Sequence, residues 1–419
     1  MSILKKFQPI ASAFAPNYTF WDCLICDKYL FLPWYWGKLQ TGKNTRKLER
    51  KFCEYMNFRW AISFDSGRSG LYAILKCLEI KDYDEIILQA FTTVALPNAI
   101  KWCGAVPIFI DINEKTYNID PDKIEEKITE KTKAIIVQHT FGNPADMNKI
   151  MKIAKKHNLY VIEDCAHSLG AEYQRQKTGT FGDVAFFSFG RDKVISSVSG
   201  GMVITANQKL GEKIKKFKDQ LPQQKKKFII KQLLHPLITY DALRLYYFFS
   251  IGKIIMFLST KFGIITKAYT KEEKKSQKPE NFPAKMPNAL AEIALHQFKL
   301  LDKFNNNRKK IANLFIKKIV ENQNIKLPAS TPNSNNIFLW YTILIENKKE
   351  FIKKARKNHI ILGDWFPKAV GPIEVNLEKA GYKTGSCPVA EKVSSMCINL
   401  PTHHRINKKD VEKIVKLFK

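Results

Sequence analysis

Seven short apolar runs recur between Trp60 and Thr205, with helix-length segments between most of them. They are Ala61–Phe64, Glu85–Ala90, Val106–Asp111, Ala134–His139, Tyr160–Asp164, Val184–Phe189 and Met202–Thr205. Runs of this length with intervening amphipathic segments predict a mostly parallel sheet of about seven strands, covered by helices on both faces, an α/β fold. In such sheets ligands collect at the C-terminal strand ends. Polar residues just past each run are therefore the first candidates for chemistry.

The stretch from Leu159 to Lys193, LYVIEDCAHSLGAEYQRQKTGTFGDVAFFSFGRDK, carries most of them. The run Leu159–Ile162 delivers Glu163 and Asp164 to a strand end, a glycine-bearing loop follows, and the next run ends shortly before Lys193. A glycine pair, Gly200-Gly201, opens the last strand. A carboxylate at one strand end and a lysine beyond the next suit pyridoxal phosphate (PLP) chemistry. There the lysine holds the cofactor as a Schiff base, and an acid keeps the pyridine nitrogen protonated. An Asp near a Lys is commonly a pair of surface residues, so the surrounding pattern has to carry the argument.

The ordered set ED-x-AHSLGA, GTFGD, FSFGRDK and SGGM resembles the DegT/DnrJ/EryC1/StrS family of PLP-dependent sugar aminotransferases. The similarity covers most of residues 40–220 and returns near 285–310 and at the C-terminus. It implies the fold-type I architecture, with a large PLP-binding α/β domain over 41–206. By resemblance, Asp164 pairs with the pyridine nitrogen and Lys193 forms the Schiff base. Ala166 lies against the ring, His167 sits beside the cofactor's phenolic oxygen, and Ser188 reaches the phosphate. From its residues alone, Ser188 reads as a locally bonded strand-end hydroxyl.

Asp65-Ser66-Gly67-Arg68-Ser69-Gly70 lies between the first run and a helix. Small residues and free N–H groups at a helix start favour an anion. The segment aligns with the family's SGT phosphate motif, so Ser66, Gly67 and Arg68 are expected at the phosphate, with Arg68 where Thr is usual. Phe91-Thr92-Thr93-Val94-Ala95 matches a family segment that supplies a ring-stacking aromatic, but Thr93 stands in that slot. Either stacking is lost, or a neighbour such as Phe91 or His139 substitutes. His139 also reads as a satisfied strand-end histidine. Phe282–Asn288 matches the family's GYNYRM motif weakly, with Lys285 at its Arg position and its usual Asn unmatched.

The remaining chain divides by composition. Residues 1–40 form an aromatic-rich arm, expected to pack on the body or on a partner subunit. Residues 207–280 are unlike the family, pairing a basic run, Lys225-Lys226-Lys227, with an apolar one that Lys253 and Lys261 interrupt. This stretch reads as an interfacial element contacting anionic membrane through 221–265, or as a helical hairpin packed on the body or the partner; the hairpin is the expected reading. Residues 281–419 predict a long helix, Met286 to Lys303, and a small α+β domain. That domain has a strand at Ile337–Ile345, a helix at Lys348–Lys357, a strand at Met396–Leu400 and a helix at Lys408–Phe418.

Net charge is +30. Such a field attracts anions, yet the lysines are dispersed and no nucleic-acid module is present, so nucleic acid is not an expected partner. No secretory leader or spanning run is evident. Of the eight cysteines, Cys23 and Cys26 have CxxC spacing without a second pair, so reduced thiols, no metal and a cytoplasmic location are expected. The resemblance implies an aminotransferase of surface-polysaccharide or glycoconjugate biosynthesis, acting on a nucleotide-linked keto-sugar as a homodimer, with Glu or Gln as donor. Two alternatives remain: a sugar dehydratase, against which Lys193 argues because related dehydratases carry His there, and a membrane-associated scaffold or regulator with weakened catalysis.

Overall fold

The structure is a computed structural model that describes residues 7–13, 17–321 and 323–418; Lys5, Lys6 and part of the expected arm lie outside the described residues. Helix α1 (Phe20–Phe31) opens on a reciprocal cap between Thr19 and Asp22. Helix α2 (Asn44–Met56) buries Leu48, Phe52 and Met56 at helical spacing. Then come β1 (Trp60–Phe64), α3 (Gly67–Cys77), β2 (Glu85–Gln89), α4 (Ala95–Trp102), β3 (Val106–Ile110) and β4 (Thr132–Gln138). Helix α5 (Met147–Lys156), β5 (Tyr160–Asp164), β6 (Val184–Ser188) and β7 (Gly201–Thr205) complete this region.

The seven strands form one sheet in the order β1-β7-β6-β5-β4-β2-β3. Only β7 runs against its neighbours; the other adjacent pairs are parallel. All seven expected strands are present, with ends within two residues of those read from the apolar runs. The runs are continuous because both faces are covered. Ile86, Leu88, Ile136, Ile162 and Phe186 pack with residues of α3 and α4, while Ile87, Ile135, Val137 and Val161 pack on the opposite face.

Beyond the sheet lie α6 (Gln208–Gln220), α7 (Lys226–Arg244) and α8 (Ile251–Lys261). Helix α7 buries Ile229, Leu233 and Ala242, and α8 folds back against it, which is the hairpin. Its crossing requires glycine, because a Cβ on Gly252 would lie 1.9 Å from the Ala242 carbonyl oxygen. The outer face of α8 exposes Ile254 and Phe257. Among the described residues no helix is long and apolar enough to cross a membrane.

The expected long helix from Met286 to Lys303 is instead two, α9 (Asn288–Lys299) and α10 (Leu301–Lys318). Pro287 stands at the N-cap of α9, and at the junction Leu300 N–H bonds Gln297 O at 3.0 Å, a tightened last turn that redirects the chain. A second sheet follows, with β8 (Ile325–Lys326), β9 (Trp340–Ile345) and β10 (Cys397–Pro401) all antiparallel. Helices α11 (Lys348–Lys357), α12 (Pro388–Met396) and α13 (Lys408–Val415) accompany it. Ile10–Ala11 of the arm pairs in parallel with Ile360–Ile361. Cys23 and Cys26 lie on a buried side of α1, and burial pushes the Cys23 thiol up to about 12, so their spacing marks a helix face.

Gly252→Val is expected to lower the thermal unfolding midpoint by several degrees, since overpacking typically costs about 1–3 kcal/mol. Gly37, which has open space at its Cβ position, is the control: Gly37→Ala leaves the midpoint within a degree or so of the parent. Calorimetry on both variants checks the comparison.

Candidate active site

The site is assembled where β1, β5 and β6 end. Ser66 caps α3, its Oγ accepting the Ser69 N–H at 3.2 Å. The next two amides, of Gly67 and Arg68, have no acceptor among the described residues. They present the positive end of the helix. A Cβ on Gly67 would sit 3.1 Å from the Ser188 Cβ and 3.3 Å from the Phe187 carbonyl oxygen, so glycine keeps this approach open. Ser188 Oγ accepts the Gly190 N–H at 3.3 Å. Its hydroxyl is thus bonded locally and also lines the cavity.

Asp164 ends β5 with its side chain buried, and Oδ1 accepts the Ala166 N–H at 2.9 Å. Burial pushes its carboxyl above the usual range, while the Ala166 amide and the nearby Lys193 and His139 pull the other way. Lys193 Nζ lies 2.8 Å from His167 Nε2. On the ring's other side, Nδ1 accepts the Phe141 N–H at 3.4 Å. With Nδ1 accepting, the imidazole proton sits on Nε2, which donates to the Lys193 lone pair once that amine is neutral. Burial lowers Lys193 to about 8, with Arg68 adding to the shift and Asp164 and Asp192 opposing it, and burial together with the Lys193 charge holds His167 well below its ordinary value. Phe141 stacks on His167 at 5.7 Å and Trp340 meets it edge-on at the same separation, fixing the ring.

All eight residues expected at the site line one cavity of about 430 Å³. The sequence profile of the DegT/DnrJ/EryC1/StrS aminotransferase family matches residues 35–236 and 255–419. The chain belongs to that family. The gap in the match, 237–254, is narrower than the 207–280 stretch expected to differ from the family. The GDP-perosamine synthase of Escherichia coli O157:H7 is 42% identical over 179 residues, which cover 43% of this chain and 49% of that protein. A dTDP-3-amino-3,6-dideoxy-alpha-D-galactopyranose transaminase from Aneurinibacillus thermoaerophilus is 28% identical, covering 89% of each chain. NtdA from Bacillus subtilis, solved with bound PMP, superposes with a TM-score of 0.74 at 23% identity, covering 100% of this chain and 88% of that one. That likeness speaks for the fold.

Family members use PLP, and the cavity fits it. Asp164 is a buried carboxylate whose side chain has one hydrogen bond, to Ala166, among the described residues, which suits a cationic pyridine nitrogen. Lys193 is an amine in the same cavity, and the amides at the start of α3 suit a phosphate.

Two departures from the family pattern are resolved by neighbours that the motifs do not contain. Thr93 Oγ1 hydrogen-bonds the Tyr269 hydroxyl, and Arg68 forms an ion pair with the buried carboxylate of Glu273. Neither proposed substitute for Thr93 reaches the cavity. Phe91, at φ 60°, turns into a cluster with Tyr117, Phe141 and Phe366. His139 is held by Glu163 at 3.0 Å and by the Ala145 N–H at 3.0 Å, the satisfied strand-end reading. Lys285 sends its ammonium to the Asp219 carbonyl at 2.8 Å, away from the cavity. Arg191, two residues before Lys193, does line it, with Nη2 on Thr266 Oγ1 at 2.5 Å. No recognised spacing links Thr266, Tyr269 or Glu273 to the motifs; the unusual residues at 68 and 93 were the available signal.

The pH dependence of PLP capture follows from Lys193. Only the neutral amine attacks a carbonyl, so the capture rate of cofactor-free protein rises with pH and levels off above about 8. Asp164 raises the Lys193 value, so Asp164→Asn moves the midpoint to lower pH. Stopped-flow absorbance between pH 6 and 10 measures both curves.

Proposed function

We propose that the protein is a PLP-dependent aminotransferase that moves an amino group from an amino-acid donor, glutamate or glutamine, onto a nucleotide-linked keto-sugar. The observation that carries this reading is the buried Lys193 amine, paired with His167, in the same cavity as Asp164. Names of relatives, a GDP-perosamine synthase and a dTDP-amino-sugar transaminase, support the substrate class.

PLP, when bound, supplies a carbonyl for amines and a ring that withdraws electrons. The chain's own residues do the rest. Asp164 would provide a fixed negative charge for the ring nitrogen, strongest where water is excluded. Lys193 Nζ would anchor the cofactor and, as a free amine, would accept and return a proton at Nζ. His167 Nε2 orients the Lys193 lone pair and stays neutral, because burial disfavours its cation. Ser66, Gly67 and Ser188 would hold the phosphate by N–H and O–H groups that need no titration.

A homodimer accompanies this reading. Trp21, Phe31 and Trp34 are 64%, 69% and 67% exposed on and just after α1. A second copy would remove that apolar rim from water. Sedimentation velocity at micromolar concentration is expected to give a dimer, and a purely monomeric active species excludes it.

Lys193→Ala should reduce transamination by at least about 10³-fold while leaving the melting midpoint near the parent's. It should also abolish the cofactor label that borohydride fixes to the protein, as read by mass spectrometry. Asp164→Asn is expected to retain the label and lose about 10²-fold or more in kcat. Normal turnover in the Lys193 variant refutes the assignment.

A further inference from the structure

Two residues that break the family pattern, Arg68 and Thr93, are both engaged by one short strap of the chain. Tyr269 and Glu273 lie four residues apart, and Thr270 and Glu273 cap each other at the start of a single helical turn, Lys271–Lys274. The Tyr269 hydroxyl bonds Thr93 Oγ1. The Arg68 guanidinium lies 5.4 Å from the centre of the Tyr269 ring and forms its ion pair with Glu273. Elsewhere the strap is pinned to the body. Asn98 Nδ2 donates to the Glu273 carbonyl at 2.8 Å, Trp102 Nε1 to the Ser276 carbonyl at 3.0 Å, and Lys278 Nζ to Tyr72 Oη at 3.1 Å. Before it, Thr266 is tied to Arg191 at 2.5 Å and to Gln232 at 3.0 Å.

These contacts make four residues interdependent. A threonine at 68 would leave the Glu273 carboxylate buried without its cation, which is costly. A bulky ring at 93 would occupy space that the Tyr269 hydroxyl now approaches. Thr93 is small enough to admit the phenol and polar enough to fix its rotation. The ring therefore reaches the cavity that also holds Asp164 and Lys193. An electron-rich ring face is a favourable neighbour for a planar cationic heterocycle.

We propose that Tyr269 is a cofactor-positioning residue that forms the aromatic wall of the PLP cavity beside Thr93, latched in place by the Arg68–Glu273 ion pair. The proposal rests on the cavity being a PLP site. It gives the departures at 68 and 93 a single cause: the wall is carried by the strap rather than by the loop after β2.

The test is PLP affinity, read by visible absorbance and by quenching of tryptophan fluorescence in cofactor-free protein. Wild type is expected to bind and to give a label fixed by borohydride; if it does not, the PLP reading itself fails and the proposal falls with it. Tyr269→Phe keeps the ring and should bind PLP within about threefold of wild type, whereas Tyr269→Ala should bind about 10- to 100-fold more weakly, the scale of one base–aromatic stack. Tyr269→Leu, which keeps apolar bulk without a ring, should resemble the Ala variant and covers the case in which that variant folds poorly. Thr93→Phe alone should weaken binding by crowding Tyr269, yet in the Tyr269→Ala background it should restore affinity to within about fivefold of wild type. Wild-type affinity in both the Ala and Leu variants, or absence of rescue by Thr93→Phe in the folded double variant, overturns the proposal.

Discussion

Burial of one amine, Lys193, sets the terms for everything around it. A lysine out of water favours its neutral form, and the neutral form is the nucleophile. The chain backbone at this point is held from outside the sheet. Asn17 Nδ2 donates to the Lys193 carbonyl at 2.6 Å, and Arg308 Nη2 donates to the Val194 carbonyl at 2.7 Å. Arg308 is itself fully buried, anchored on Asn305 Oδ1 at 2.8 Å, and burial lowers it to about 9. The N-terminal arm and α10 thus meet at Lys193, and the position of Nζ depends on elements nearly 300 residues apart in sequence.

The adjacent carboxylates at the end of β5 show how a strand sorts chemistry. Successive side chains point to opposite sides, so Glu163 and Asp164 have different surroundings. Glu163 accepts N–H groups from Gly179, Phe181 and Gly182, each at 2.7 Å, besides its contact with His139. It is saturated, and its work is to fold the loop that returns the chain to β6. The Asp164 side chain keeps a single hydrogen-bond partner among the described residues and lines the cavity. His139, Glu163 and Cys165 cluster closely enough to suggest a metal site. The His139 and Glu163 donor atoms are already committed to protein hydrogen bonds, so the group reads as the loop's anchor.

Much of this was legible before any coordinates. The seven strands were read correctly because burial on both faces leaves continuous apolar runs, a signal that survives uncertainty at the ends. The residues of the ED-x-AH, FSFGRDK and Asp65–Gly70 segments converge because each lies just past a strand end, and strand ends of a parallel sheet converge by topology. What was not legible is long-range pairing. Nothing local says that Thr93 will meet Tyr269, that Arg68 will meet Glu273, or that Arg308 will hold the carbonyl after Lys193. The helix break at Leu300 was missed for the opposite reason: apolar periodicity runs through it, and the change is in one turn of backbone.

The apolar hairpin is best understood from its inner face. Helix α7 presents Phe228 and Gln232, four residues apart and so on one side, to the cavity, while Ile229 and Leu233, each one position on, are buried in the core. Gln232 holds Thr266, and Thr266 holds Arg191 two residues before Lys193. Packing of α7 therefore sets the far wall of the cavity, and α8, crossing at Gly252, braces α7. An element that reads from composition as a candidate membrane contact has its inner surface committed to the candidate site's cavity, and its orientation is fixed by the same contacts that hold Arg191.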